Sequence, residues 1–154
     1  MFVSAMPVFS LAQSNHKATT GKSATDQLIV FSQTKVAQDP DDYSNYSRLG
    51  AAYVQKARES GDVTYYDLAE KALNKALELD PTHQDSAPIL VQLATVHFSE
   101  HKFAEALREA NRAAGLEPEL ITAYVSSGDA YLEQGDYAQA QISYSHLQST
   151  KPSF

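Results

Sequence analysis

The chain has no cysteine and no tryptophan, and only six glycines and six prolines in 154 residues. Without cysteine there is no disulfide framework, no thiolate zinc site, no thiol nucleophile and no cysteine-borne lipid anchor. The compartment stays open on this count, because cysteine-free proteins occur on both sides of a membrane. The low Gly and Pro content excludes collagen-like and low-complexity chains. Positive charge is also scarce: 12 Lys and Arg against 19 Asp and Glu leave a net charge of −7. A field of that sign repels phosphate backbones, so nucleic acid is not an expected partner. Long apolar runs are missing as well. The most apolar stretch, Met1 to Asn15, is short and broken by Pro7 and Ser10, so no membrane-spanning helix is expected. What is present, 43% apolar and 20% charged residues, is the composition of one domain able to bury a core.

The segment 1–22 stands apart from the rest. Met1 to Asn15 carries no charge, and Ser10-Leu11-Ala12 before Gln13 resembles a small-x-small signal-peptidase site, yet no basic residue precedes the apolar stretch. It is read as a disordered or remnant signal-like segment, with a periplasmic or secreted location preferred to a cytoplasmic one.

From residue 23 onward the chain repeats itself. Pro81, Pro118 and Pro152 each close a helical run, and the last two stand 34 residues apart. The unit ending at Pro152 reads Tyr124, Ser127-Gly128, Tyr131, Gly135-Asp136-Tyr137, Ala140 and Tyr144. The unit ending at Pro118 reads Leu90, Leu93-Ala94, His97, Phe103, Ala106 and Ala110, and that ending at Pro81 reads Tyr46, Leu49-Gly50, Tyr53, Ala69, Leu73 and Ala76. Apolar residues recur at helical spacing in each half-unit. Gly50, Ala94 and Gly128 stand where two helices of a hairpin would cross most closely, with Ala69, Ala106 and Ala140 opposite. Asp62 and Asp136, each after a glycine, suit helix N-caps.

These residues resemble the tetratricopeptide-repeat signature of an aromatic, Leu-Gly, Tyr, Ala, an aromatic and Pro in a 34-residue frame. The resemblance runs from about Asp41 to Pro152. It implies an all-α, right-handed solenoid of antiparallel helix pairs. Expected are an N-terminal capping helix over 25–39, a unit with an insertion over 41–81, and units over 85–118 and 119–152. Sixteen residues separate Tyr53 from Ala69, against nine between Tyr131 and Ala140. The seven extra residues predict one to two added turns on the first helix of that unit. The run Ala57-Arg58-Glu59-Ser60-Gly61-Asp62, followed by Tyr65-Tyr66, looks like a variant found in bacterial members of the superfamily. The middle unit lacks the aromatic and glycine signals and follows a three-residue insertion within Thr82 to Ala87. Asp26 to Gln38 reads as an amphipathic helix ending at Asp39-Pro40, as the second helix of a unit would. At the other end, no capping helix follows Pro152 within the sequence, so Ile142, Leu147 and nearby tyrosines are expected to face solvent.

Catalytic chemistry is hard to place on these residues. His97 and His101 share a helix face and are the best metal candidates, the basis of an alternative reading as a metal-dependent enzyme. Against it, His97 holds the frame position of Tyr53 and Tyr131, and His101 the turn position of Gly135. The pairs Glu133 with Asp136 and Glu105 with Glu109 read as solvated helix surface. There is no glycine-rich phosphate loop, no GxSxG and no HExxH, so no cofactor is expected. The tyrosines at 46, 53, 124, 131, 137 and 144 read as scaffold.

In this family the first helices of successive units line a concave groove that holds a peptide. The groove-facing frame positions are Ser47, Arg48, Ala51, Val54 and Gln55, then Val91, Gln92, Thr95, Phe98 and Ser99, then Val125, Ser126, Asp129, Leu132 and Glu133. Some members clamp a peptide's C-terminal carboxylate with Lys and Asn at three of these positions. Here those positions hold only one cation, Arg48, and Asp129 opposes a carboxylate. The expected function is a non-catalytic interaction scaffold, an adaptor or assembly factor of a bacterial envelope. Its expected partner is a protein or peptide with apolar anchors and positive charge, matched to Asp129 and Glu133. The alternative from another class is a solenoid that self-assembles through its uncapped C-terminal end.

Overall fold

A computed structural model describes residues 22–80 and 85–149, with side chains described as far as residue 147. The readings made for 1–21, for most of the insertion at Thr82 and for Pro81 and Pro152 lie outside the described residues. Within them the chain forms seven helices and no strand: α1 (Ala24–Gln38), α2 (Tyr43–Ser60), α3 (Thr64–Leu79), α4 (Ser86–Ser99), α5 (Phe103–Leu116), α6 (Ile121–Glu133) and α7 (Tyr137–Ser149).

Local chemistry starts and stops these helices. Ser23 and Asp26 form a reciprocal capping box on α1. The carboxylate of Asp42 accepts the Ser44 N–H at the start of α2, and that of Asp136 accepts the Gln139 N–H at the start of α7. Asp62 accepts from both the N–H and the hydroxyl of Thr64 one residue before the N-cap of α3, a position held by Val63 and not by the expected Asp62. Gly61 and Gly135 leave their helices with φ of 71° and 78°, the left-handed turn that glycine makes at low cost. His101 makes the same turn between α4 and α5 at φ 60°, bearing a side chain where glycine is the easier residue.

Helices α2 and α3, α4 and α5, and α6 and α7 pack as hairpins, and each hairpin packs on the next through α3 on α4 and α5 on α6. The small residues set the closeness of these pairs. A Cβ added to Gly50 would lie 2.6 Å from Leu73 Cγ, and one added to Gly128 would lie 2.5 Å from the Tyr144 ring. Ala69, Ala106 and Ala140 are fully buried opposite them. The apolar core runs along the hairpin seams through Leu49, Leu73, Ile89, Leu93 and Val96 to Leu90, Ala113 and Ala123.

The backbones of the first helices of successive hairpins also come close, α2 to α4 and α4 to α6, whereas those of α3 and α5 stand farther apart. A row of helices in contact on one side and splayed on the other curves toward the contacting side. That side is concave, and α2, α4 and α6 line it. The added residues of the first unit lengthen α2 to 18 residues against 14 for α4 and 13 for α6, about one extra turn.

Two expectations change. Helix α1 is not amphipathic in the way anticipated: Thr25, Ile29 and Ser32 are buried, but Leu28, Val30 and Phe31 are each about half exposed. Its sequence is apolar on both faces, so one face is left uncovered among the described residues. Tyr137, placed with the scaffold tyrosines, is 72% exposed, because at the first position of α7 it has no facing helix to pack against.

Candidate functional site

Two adjoining cavities open along the concave side. One, of about 410 Å³, lies between α4 and α6 and is lined by Val91, Ala94, Thr95 and Phe98, by Val125 and Asp129, and by neighbouring hydroxyl side chains. The other, of about 210 Å³, lies between α2 and α4 and is lined by Ala51, Val54, Gln55, Arg58, Gln92 and Thr95. Arg58 and Thr95 line both, so the two form one trough.

Helical spacing explains the grouping. Val91, Thr95 and Phe98 are stacked at successive turns of α4, as Ala51, Gln55 and Arg58 are on α2 and Val125 and Asp129 on α6. Phe98 is held from behind by Phe103 of α5, ring edge to face at 5.4 Å. The hydroxyls of Thr95 and Ser99 donate to their own helix, to Val91 O and Thr95 O, which leaves their oxygens as acceptors. Gln92 donates its amide to Ser47 Oγ at 3.2 Å, while its Oε1 is buried without a partner among the described residues.

Of the residues chosen from the repeat frame, Val54, Gln55, Val91, Thr95, Phe98, Val125 and Asp129 come together in this trough. Arg48 lies outside both cavities, exposed on α2. Leu132 faces a separate depression with Tyr137, Ala140 and Tyr144 at the C-terminal end, and Glu133 is exposed beyond the trough. Arg58 was not among the frame positions. It enters through the extra turn of α2, where the frame no longer assigns faces, and its only sequence signal was its spacing from Gln55.

The electrostatics differ from those expected. Asp129 accepts the Tyr144 phenol at 2.5 Å, so one of its oxygens is already engaged. Burial, reinforced by that hydrogen bond and by the charge of Asp129, pushes the Tyr144 phenol up to about 12, so it stays a donor. Arg58 has no ion pair or hydrogen bond among the described residues. Glu133 lies outside the trough, while Asp129 stays in its wall with one oxygen engaged, and Arg58 adds a cation beside it.

The two histidines find separate partners. His97 is buried, its Nε2 3.5 Å from Glu70 of α3, and His101 sits at the turn with its ring edge-on to Phe103. Among the described residues no three His, Asp or Glu side chains converge as a metal site would need. Glu109 is not the solvated carboxylate expected: it is buried, with Arg108 at 3.1 Å and Arg112 at 2.8 Å. No described helix is long and apolar enough to cross a membrane.

Comparison with known proteins agrees with this geometry. The tetratricopeptide-repeat signature matches residues 46–83 and 121–154. No curated protein matches the sequence. Among solved structures, the thermophilic tetratricopeptide-repeat protein TTC0263 of Thermus thermophilus aligns with a TM-score of 0.74 at 23% identity, over 83% of this chain and 66% of that one. MamA from MSR-1 aligns with a TM-score of 0.64 at 23% identity, over 82% and 67% of the two chains. A further MamA structure gives 0.68 at 22% identity, over 81% and 63%. The chain thus spans about two thirds of the length of these structures, and identities so low speak for the shared fold. Residues 85–120, between the two matched segments, fold as the same kind of hairpin. With its signature segments, its stacked hairpins and these structural neighbours, the chain belongs to the tetratricopeptide-repeat family.

Proposed function

We propose that this protein is a non-catalytic scaffold that holds a peptide or helix of a partner protein in the trough formed by α2, α4 and α6. The observation that carries this reading is the trough itself. Val91, Ala94, Phe98 and Val125 form an apolar floor, with the polar side chains of Thr95, Gln92 and Arg58 above it. A few polar groups around an apolar floor suit a peptide: side chains bury on the floor, and the polar groups fix its orientation. No pair of titratable side chains in the trough is arranged for acid–base work, since Asp129 is the one carboxylate lining it.

The test is peptide or partner capture by the Phe98→Ser protein. Capture is expected to be lost with helicity unchanged by circular dichroism. Because Phe98 also packs on Phe103, Val125→Asn serves as a second variant that removes floor without touching that ring pair. Wild-type capture by both folded variants would refute the groove.

A second reading rests on a different surface. Leu132 and Tyr137 are exposed beside one depression at the α6–α7 end, and Ile142 is exposed elsewhere on α7, apolar surface that would suit self-association. Sedimentation velocity of the full chain tests it: a monomer at all concentrations rejects the reading, and an oligomer dispersed by Ile142→Glu supports it.

A further inference from the structure

We propose that the chain's own segment Phe2–Leu11 covers the outer face of α1, packing over Leu28 and Phe31 in the place where each later hairpin has its first helix. The trough and its ligand play no part in this contact.

Helix α1 stands in the row as a second helix without a first. It ends two residues before Pro40, as α3 ends two residues before Pro81, and the two prolines set the helices in register 41 residues apart. In that register Ile29 and Val36 fall on Glu70 and Leu77, on the side that meets the first helix of the next hairpin. Ile29 and Val36 pack in the core with α2, and Glu70 reaches His97 of α4. Leu28, Phe31 and Lys35, on one face by their spacing, fall on Ala69, Ala72 and Ala76. Those three alanines are buried on the side of α3 that packs against its own first helix, α2. In α1 the same side is open: Leu28 is 46% and Phe31 52% exposed, and α1 comes close to no described helix except α2. The one cation there, Lys35, lies over the Phe31 ring at 5.7 Å, so what the face offers is apolar. Val30 falls on the exposed Lys71 and belongs to a different side.

Position, chemistry and reach all point to the N-terminal segment as the occupant. In each later hairpin the first helix directly precedes the second in the chain, so this place is filled from the N-terminal side of α1. Met1 to Asn15 has no charged side chain to desolvate, and Phe2, Val3, Met6, Val8, Phe9 and Leu11 supply apolar cover. The residues from Ala12 to Lys22 can span up to about 36 Å, whereas Phe31 stands only about 12 Å along the helix from Ser23. A segment tethered at that range meets α1 at an effective concentration on the order of millimolar, an advantage that no second copy of the chain shares. Residues 81–84 are tied between α3 and α4, and residues 150–154 follow α7, which comes close only to α6 at the far end of the row. The segment carries Pro7 and lacks the small residue pair of a first helix, so it serves as an apolar cover and not as a further repeat.

Photocross-linking in the full-length chain tests the proposal, with p-benzoylphenylalanine in place of Phe31 and the products mapped by mass spectrometry. The expected product is a cross-linked monomer in which residue 31 is joined to the tryptic peptide Met1–Lys17. Its yield should fall about tenfold or more when Val8→Asp and Phe9→Asp are introduced together, changes that lie outside the hairpins and should leave helicity unchanged. In the chain without the cross-linker, the same pair of changes should lower the protection of α1 amides from exchange while α4 amides keep theirs. A cross-linked dimer as the main product would give the face to a second copy and overturn the proposal. So would a yield and an α1 protection both indifferent to the two aspartates, or a native chain found to begin at Gln13, as removal of a signal peptide would leave it.

Discussion

The junction between α1 and α2 and the seam inside the hairpins are built from different materials. Inside the hairpins the contact is apolar and close, with Leu73, Leu90, Leu93 and Val96 almost wholly buried and alanine or glycine wherever two helices approach. Between α1 and α2 the contact is largely polar. Lys56 bonds Asp26 at 2.6 Å, Thr25 bonds Glu59 at 2.7 Å and Gln33 bonds the Tyr53 phenol at 3.0 Å, around one buried isoleucine, Ile29. Apolar burial stabilises in proportion to area, does not titrate and is not screened, whereas partly exposed ion pairs contribute little and are screened by salt. Helix α1 is thus the part that should come loose first, and the hairpins are the part that should melt together.

That contrast can be broken from the hairpin side with the largest effect. Leu73→Ala removes a side chain with no exposure and leaves a cavity, so a loss of about 3 kcal/mol in urea unfolding is expected, spread over the whole transition. Gly50→Ala pushes a methyl group against Leu73, and a loss of about 1–3 kcal/mol should follow in the same measurement.

From the α1 side the effects are local. The Lys56 ammonium holds the Asp26 carboxyl below its usual range, and the Gln55 and Thr25 donors do the same for Glu59. Groups whose folded values are lowered stabilise above the ordinary carboxyl range, near pH 4, and that contribution is lost as pH falls through the lowered values. The protection factors of α1 amides, taken relative to intrinsic exchange at each pH, should therefore fall as pH drops from about 5 to about 3, while α4 amides keep theirs. Asp26→Asn should bring the same loosening to neutral pH. The smallest effect is expected at the α4–α5 turn. There His101→Gly relieves the left-handed backbone at the cost of greater unfolded-chain freedom, for a net gain of about 0.5 kcal/mol in the same unfolding assay.

Much of this architecture was legible in the residues, for identifiable reasons. The prolines and the small residues at 50, 69, 94, 106, 128 and 140 recur in a fixed frame because each hairpin faces the same crossing problem, and the frame carried Val91, Thr95, Phe98 and Val125 to one wall. Arg58 was missed because the added turn of α2 breaks that frame. The bond from Tyr144 of α7 to Asp129 is likewise a pairing that frame positions do not encode. The outer face of α1 was misjudged because Leu28, Val30 and Phe31 were counted toward a helical pattern without a neighbour to receive them.

The helix row also has a mechanical property. Since α2, α4 and α6 touch while α3 and α5 stand apart, the row resembles a leaf spring hinged along its inner edge. Opening or closing the trough would move α3 and α5 relative to each other with no close backbone contact between them to resist it. A ligand that spans the row therefore acts as a strut across the spring, setting its curvature, and a pull on either end of the chain changes the width of the seat the ligand occupies.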